Sequence, residues 1–179
     1  MKFLKSTFIT FFTNVLLLLT AVATTIITSR VLGSTGKGVL AVSSNILSFS
    51  VVILGLGFAA SNVYFIGADH KNTRKVTLLN IIIAAIAAII LVPLYFLNLR
   101  FHFGIFKGLN NVVLVVVMIT VPFMILKTAI INIILGLQEI VAYNKLNILD
   151  KFLTLAMMIV AISLNKSPLS VLVSNFAAI

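Results

Sequence analysis

Residues 29–40 read SRVLGSTGKGVL, with glycine, serine, threonine and lysine crowded between two apolar runs. Such a stretch is either a loop that grips phosphate or the turn between two apolar helices, and the two readings lead to different fold classes. A phosphate loop needs Gly, four residues, then Gly-Lys followed by Ser or Thr, so that backbone N–H groups and the lysine surround the phosphates. Here Gly36-Lys37 is followed by Gly38, and Val31 stands where the first glycine belongs. The loop reading fails at both positions, which leaves the turn.

Composition points the same way. Hydrophobic residues make up 61% of the 179 residues and charged residues 9%, against about 25% charged in a soluble domain. The acids are Asp69, Glu139 and Asp150 alone. So few charges could not cover the surface of a soluble protein of this size. Lipid as the outer solvent removes the difficulty. There is no cysteine, which excludes disulfides, thiolate metal sites and thiol catalysis. The net charge is +10. Its basic residues are dispersed and not interleaved with aromatics, so the expected contacts are membrane lipids and an anionic substrate in the bilayer, not nucleic acid.

The apolar runs predict spans at residues 8–29, 39–67, 76–98, 111–137 and 146–165, and a partial one at 169–179. About 20 apolar residues cross the hydrocarbon core, and backbone in lipid must satisfy itself internally. The expected fold is therefore an all-α integral membrane protein. Residues 1–179 form a single transmembrane domain of five complete transmembrane helices and the start of a sixth. Connectors fall at Gly33–Gly38, Asp69–Lys75, Arg100–Asn111, Gly136–Lys145 and Lys166–Pro168. Pro93 and Pro122 lie inside spans, where proline kinks a helix. The rival reading of the N-terminus, a cleaved signal ending near Ala21-Val22-Ala23, conflicts with Thr10, Thr13 and Asn14 in its apolar stretch and with the further membrane that follows. With the N-terminus inside, Lys2, Lys5, Lys71, Arg74, Lys75, Lys145 and Lys151 are inner and Arg30, Lys37, Arg100, Lys107 and Lys166 outer. That bias favours a cytoplasmic N-terminus.

Polar residues inside the spans are the candidates for function. Threonines 10, 13, 24 and 28 share one side of the first span with Asn14, and the second span carries Asn45 and Asn62 among its serines. Asparagine is costly to bury, so these face water or a partner. Lys127 is mid-span in the fourth, and a lysine at the bilayer centre costs about 2.5–3.5 kcal/mol. It shares a helix side with Thr120, Thr128, Asn132 and Glu139, the expected wall of an aqueous cavity. Its other possible roles are to snorkel to an interface or to pair with Glu139 or Asp150. Gly55-Leu56-Gly57-Phe58-Ala59-Ala60 fits a loose dinucleotide pattern but has no βαβ context. Its glycines are expected to bend the second span or admit a neighbour. His70 and His102 stand in connectors, and no acid pair or metal-ligand spacing is present. No enzyme activity, metal or cofactor is expected.

The run from Ser29-Arg30-Val31-Leu32-Gly33 through Gly38 to Gly55-Leu56-Gly57-Phe58 and Tyr64 resembles polysaccharide flippases of the multidrug/oligosaccharidyl-lipid/polysaccharide exporter superfamily. Leu135-Gly136-Leu137-Gln138, Tyr143-Asn144 and Asn147 are similar to that family's connector between its fourth and fifth helices. The resemblance covers residues 3–162. It implies part of one six-helix bundle of a two-bundle exporter in the bacterial inner membrane, and hence the N-terminal portion of a longer protein. The implied activity is flipping of an anionic lipid-linked oligosaccharide or polysaccharide precursor by alternating access, with a possible coupling ion and polysaccharide assembly proteins as partners. It implies cationic cavity residues that hold the carrier's pyrophosphate and acidic sugars. Arg30 and Lys127 are the candidates, with Asn14, Asn45, Asn62 and Asn132 as further cavity residues. A cation-coupled multidrug exporter of the same fold is the first alternative, and it wants an acid deep in the membrane. A non-transporting membrane scaffold or assembly subunit is the second.

Overall fold

A computed structural model describes residues 2–101, 109–165 and 167–177. His102, Lys107, Lys166 and the side chains of Lys2 and Lys5 lie outside the described residues. All described elements are helical: α1 (Lys2–Leu54), α2 (Phe58–Ala68), a 3-10 turn (His70–Asn72), α3 (Thr73–Phe101), α4 (Asn111–Gly136), α5 (Ile140–Leu164) and α6 (Pro168–Ala177). Four helical stretches are long and apolar enough to cross a membrane: Thr7–Leu54, His70–Phe101, Asn111–Gly136 and Ile140–Leu164.

The first of these is 48 residues long, about 72 Å if straight and more than twice a hydrocarbon core. It is not straight. Gly33 sits at φ 65°, ψ −170°, a region essentially closed to residues with a Cβ. Lys37 Nζ donates to Thr28 Oγ1 at 2.8 Å across this point. Thr24 and Ser44 line one cavity, yet an unbroken helix would set them about 30 Å apart. α1 is therefore a hairpin of two arms, residues 2–32 and 34–54. The connector expected over Gly33–Gly38 shrinks to Gly33 alone, because Ser34 to Gly38 are already helical.

The second arm stops at Leu54 and resumes as α2 after a break at Gly55–Gly57, with Leu56 at φ 50° and Gly57 at φ 69°. The glycine pair thus interrupts the second span. α2 packs against α4 at Gly136, where an added Cβ would come within 3.0 Å of Ile66 Cβ and 3.2 Å of Val63 Cα. Asp69 then turns the chain, its carboxylate accepting from Lys71 N at 2.9 Å.

Contacts fix the direction of each rod. Asn144 on α5 reaches Thr10, and Ile162 packs in the cluster that Ile27 and Val31 border, so α5 runs parallel to the first arm. Ile125 of α4 lies near Gly55, and Gly136 near Ile66, so α4 runs parallel to the second arm and α2. Asn62 of α2 bonds Asn80 near the start of α3, so α3 runs back in the opposite sense. Successive long rods alternate in direction. α4 is the hub and touches α1, α2, α3, α5 and α6.

The outer surface is unlike that of a water-soluble bundle. On α3 the inward positions are Asn80, Ile83, Ala84, Ala87, Leu91 and Asn98, while Ile81, Ile82, Ile86, Ile89, Val92 and Phe96 face outward. Ile89 is 70% exposed. Small and polar residues let helices approach and bond, and the outside is as apolar as a core, which suits lipid and not water. The main core joins Ala84, Ala87 and Leu91 to Leu114, Met118, Val121 and Ile125. Pro93 and Pro122 both lie inside helices that continue through them.

The fifth span differs from expectation at its start. α5 begins at Ile140, and the connector expected over Gly136–Lys145 is only Leu137–Glu139. Gln138 at φ 60° makes the reversal, with Gln138 N bonded to Leu135 O and Glu139 N to Ile134 O. Tyr143, Asn144 and Lys145 suggest a loop by polarity, but Asn144 is buried and bonded to Thr10 and to Ile140 O. Asp150 and Lys151, expected one turn inside the span, are consequently in its middle.

Candidate functional site

Between the two arms of α1 and helices α4, α5 and α6 lies a cavity of about 380 Å³ walled by both polar and apolar side chains. α4 presents Val116, Val117, Thr120, Met124 and Lys127 to it, α5 presents Asp150, Lys151 and Thr154, and the hairpin presents Thr20, Thr24, Thr25, Ser43 and Ser44. The helical period explains the set. Residues 116, 120, 124 and 127 recur at three- and four-residue steps and share one face of α4, as 150, 151 and 154 do on α5.

An ion pair defines its chemistry. Lys127 Nζ donates to Asp150 Oδ1, joining α4 to α5. The two side chains are only 19% and 16% exposed. Lys151 Nζ stands 4.0 Å from the other carboxylate oxygen and is half exposed. Lys127 lines the cavity and pairs with Asp150, not with Glu139. Glu139 lies beyond the end of α4 and is exposed.

The hydroxyls are held in a uniform way. Thr20, Thr24, Thr120 and Thr154 each donate to the carbonyl four residues earlier, at 2.7–2.8 Å. This back-bonding satisfies hydroxyl protons within a helix. Ser43 differs: its Oγ is buried and has no hydrogen-bond partner.

The other candidates are placed elsewhere. Arg30, Asn14 and Asn45 are exposed and absent from the cavity wall, Arg30 being at the hairpin end. Asn62 is buried and exchanges two hydrogen bonds with Asn80, at 3.2 and 3.1 Å. Asn132 bonds back to Thr128 O at 2.8 Å. Only Lys127 of the six lines the cavity. Sequence reasoning missed Lys151, Ser43 and Thr154 at the site. The Asp150-Lys151 dipeptide was the available signal, hidden by the late start assigned to that span.

A larger groove, about 440 Å³, runs between α3 and α4 and is walled by Leu91, Tyr95, Phe96, Met118, Pro122 and Phe123 among others. Its wall carries no charged side chain, whereas the smaller cavity is lined by Lys127, Asp150 and Lys151. Among the described residues no cluster of histidine and acid side chains could hold a metal ion. Comparison with protein-family models, with curated proteins and with solved structures finds no match.

Proposed function

We propose that this chain forms part of a membrane transporter that flips an anionic lipid-linked oligosaccharide or polysaccharide precursor across the bacterial inner membrane. The observation that carries the reading is a cationic, hydroxyl-lined cavity inside a bundle whose exterior is hydrocarbon. Charges inside a membrane are costly and mark substrate or ion paths. In this reading the arms of α1 cross separately, the second continuing through α2. With α3, α4 and α5 they make five crossings of alternating direction, and α6 begins a sixth. Such a bundle, with a cavity at mid-depth, is the half from which two-bundle alternating-access carriers are built. The N-terminus is cytoplasmic, on the side of Lys71, Arg74 and Lys75. Placing Lys151 inside α5 narrows the inner count of basic residues to six against five, so the cluster at 71–75 carries the bias.

Lys127 would hold the negative group of the substrate as a mobile point charge. The test is flipping of a fluorescent lipid-linked oligosaccharide by the reconstituted transporter of which the chain is a part. Lys127→Ala abolishes it in this reading, and an unchanged rate in that variant refutes the assignment. One observation favours a second reading, a cation-coupled exporter. Asp150 sits mid-helix in α5, supplying the deep acid such a carrier needs. Uptake of a cationic drug, driven by an imposed ion gradient and lost in Asp150→Asn, distinguishes it.

A further inference from the structure

The charged groups on the cavity wall are Lys127, Asp150 and Lys151. The rest of the wall is uncharged and includes Thr20, Thr24, Ser43 and Ser44 from α1, Thr120 from α4 and Asn175 from α6 beside apolar side chains. Two cations and one anion leave a single positive charge uncompensated. Asp150 lies between the two lysines, bonded to Lys127 on another helix through Oδ1 and 4.0 Å from Lys151 on its own helix through Oδ2.

We propose that Asp150 is an internal stand-in for the ligand's anion. It holds Lys127 until a singly charged oxyanion arrives, and then passes to Lys151. This rests on the reading of the cavity as a site for an anionic substrate group, and it adds the charge that site takes and the residue that competes for it. One monoanion brings the wall to neutrality: the newcomer pairs with Lys127, and Asp150 with Lys151. No lone charge is left in a medium where stranded charge is expensive. The buried, partnerless hydroxyl of Ser43 supplies a donor for the incoming oxygen. The exchange also has a mechanical result. Lys127–Asp150 is the ion pair between α4 and α5 among the described residues, whereas Asp150–Lys151 lies within α5. Binding therefore unties two helices. A phosphodiester and the carboxylate of an acidic sugar share the required chemistry.

The experiment titrates dimethyl phosphate and, separately, glucuronate into the purified full chain in detergent, by calorimetry. Removing the competitor, Asp150→Asn, tightens binding about tenfold or more, since close charge pairs couple at least that strongly. Lys151→Gln, which takes away the place to which Asp150 moves, weakens it by a similar factor. Lys127→Gln removes it. The probe with the larger gain identifies the source of the anion. Binding in Asp150→Asn that equals or falls below wild type, unchanged affinity in Lys151→Gln, or no binding of either probe overturns the proposal. Should Asp150→Asn prove too unstable to titrate, its thermal unfolding decides. The better probe raises its midpoint more than that of wild type, and an equal or smaller rise overturns the idea. Loss of glycolipid flipping with the anion pattern intact removes only the transport reading. Flipping without the anion pattern removes only the exchange.

Discussion

The two halves of the Lys127–Asp150 pair are not equivalent, and the inequality can be measured. Removing one member of a buried ion pair costs about 3–5 kcal/mol, because the other charge is left stranded. At 19% and 16% exposure both groups qualify as largely buried. Lys127→Met leaves Asp150 with Lys151, already 4.0 Å away, so the stranded charge is largely answered and the expected loss is about 1–2 kcal/mol. Asp150→Leu leaves Lys127 with no acid on the cavity wall, and the full cost of about 3–5 kcal/mol applies. The double variant Lys127→Met/Asp150→Leu exchanges the pair for packed hydrocarbon, which is often neutral or stabilising. Its expected loss is below that of Asp150→Leu alone. Unfolding by sodium dodecyl sulfate in mixed micelles, followed by circular dichroism, gives the four corners of the cycle. Equal losses in the two single variants, or a double variant at their sum, would refute the reasoning.

Three further outcomes follow from local geometry. Gly33→Ala forces a Cβ into a backbone region that excludes it and is expected to cost about 1–3 kcal/mol; the same unfolding assay measures it, and no loss means that the hairpin does not turn there. Asn62→Ala leaves the Asn80 amide short of a partner and costs about 0.6–1.7 kcal/mol, while adding Asn80→Ala costs less than a second such step; additivity counts against the paired amides. Because the chain lacks cysteine, single-cysteine labelling starts from a clean background. Thr24→Cys in the cavity reacts with a charged, membrane-impermeant maleimide in open vesicles, and Ile89→Cys on the outer face of α3 does not. Equal labelling removes the distinction between wet interior and lipid face.

Helical class and the centres of the spans were legible because long uncharged runs in lipid have few alternatives to helix. Boundaries were less so, for a shared reason. Polarity was read as loop, and in this bundle many polar residues stand within helices. Ser34, Thr35 and Lys37 are helical because Gly33 alone reverses the chain. Asn144 is accommodated within the helix because Thr10 Oγ1 and Ile140 O accept from its side-chain amide. Of the site, Lys127 was found because a charge amid aliphatic neighbours is conspicuous in one dimension. Its relation to Lys151 depends on where α5 begins, and a three-residue turn at Leu137–Glu139 has no composition signal strong enough to show that. Asn62 and Asn80 are 18 positions apart, and only the α2–α3 reversal makes them neighbours.

The threonine lining has a chemical polarity of its own. Thr20, Thr24, Thr120 and Thr154 have each given their proton to the main chain, so what they turn toward the cavity is lone pairs. A guest that touches those four must bring hydrogens, as water or a sugar alcohol does, and oxyanions gain nothing there. Lys127 and Lys151 are the cations of the wall, while those four threonines would accept from a hydroxylated guest. A molecule with an acidic head and a polyol body would meet each kind of wall with its matching part.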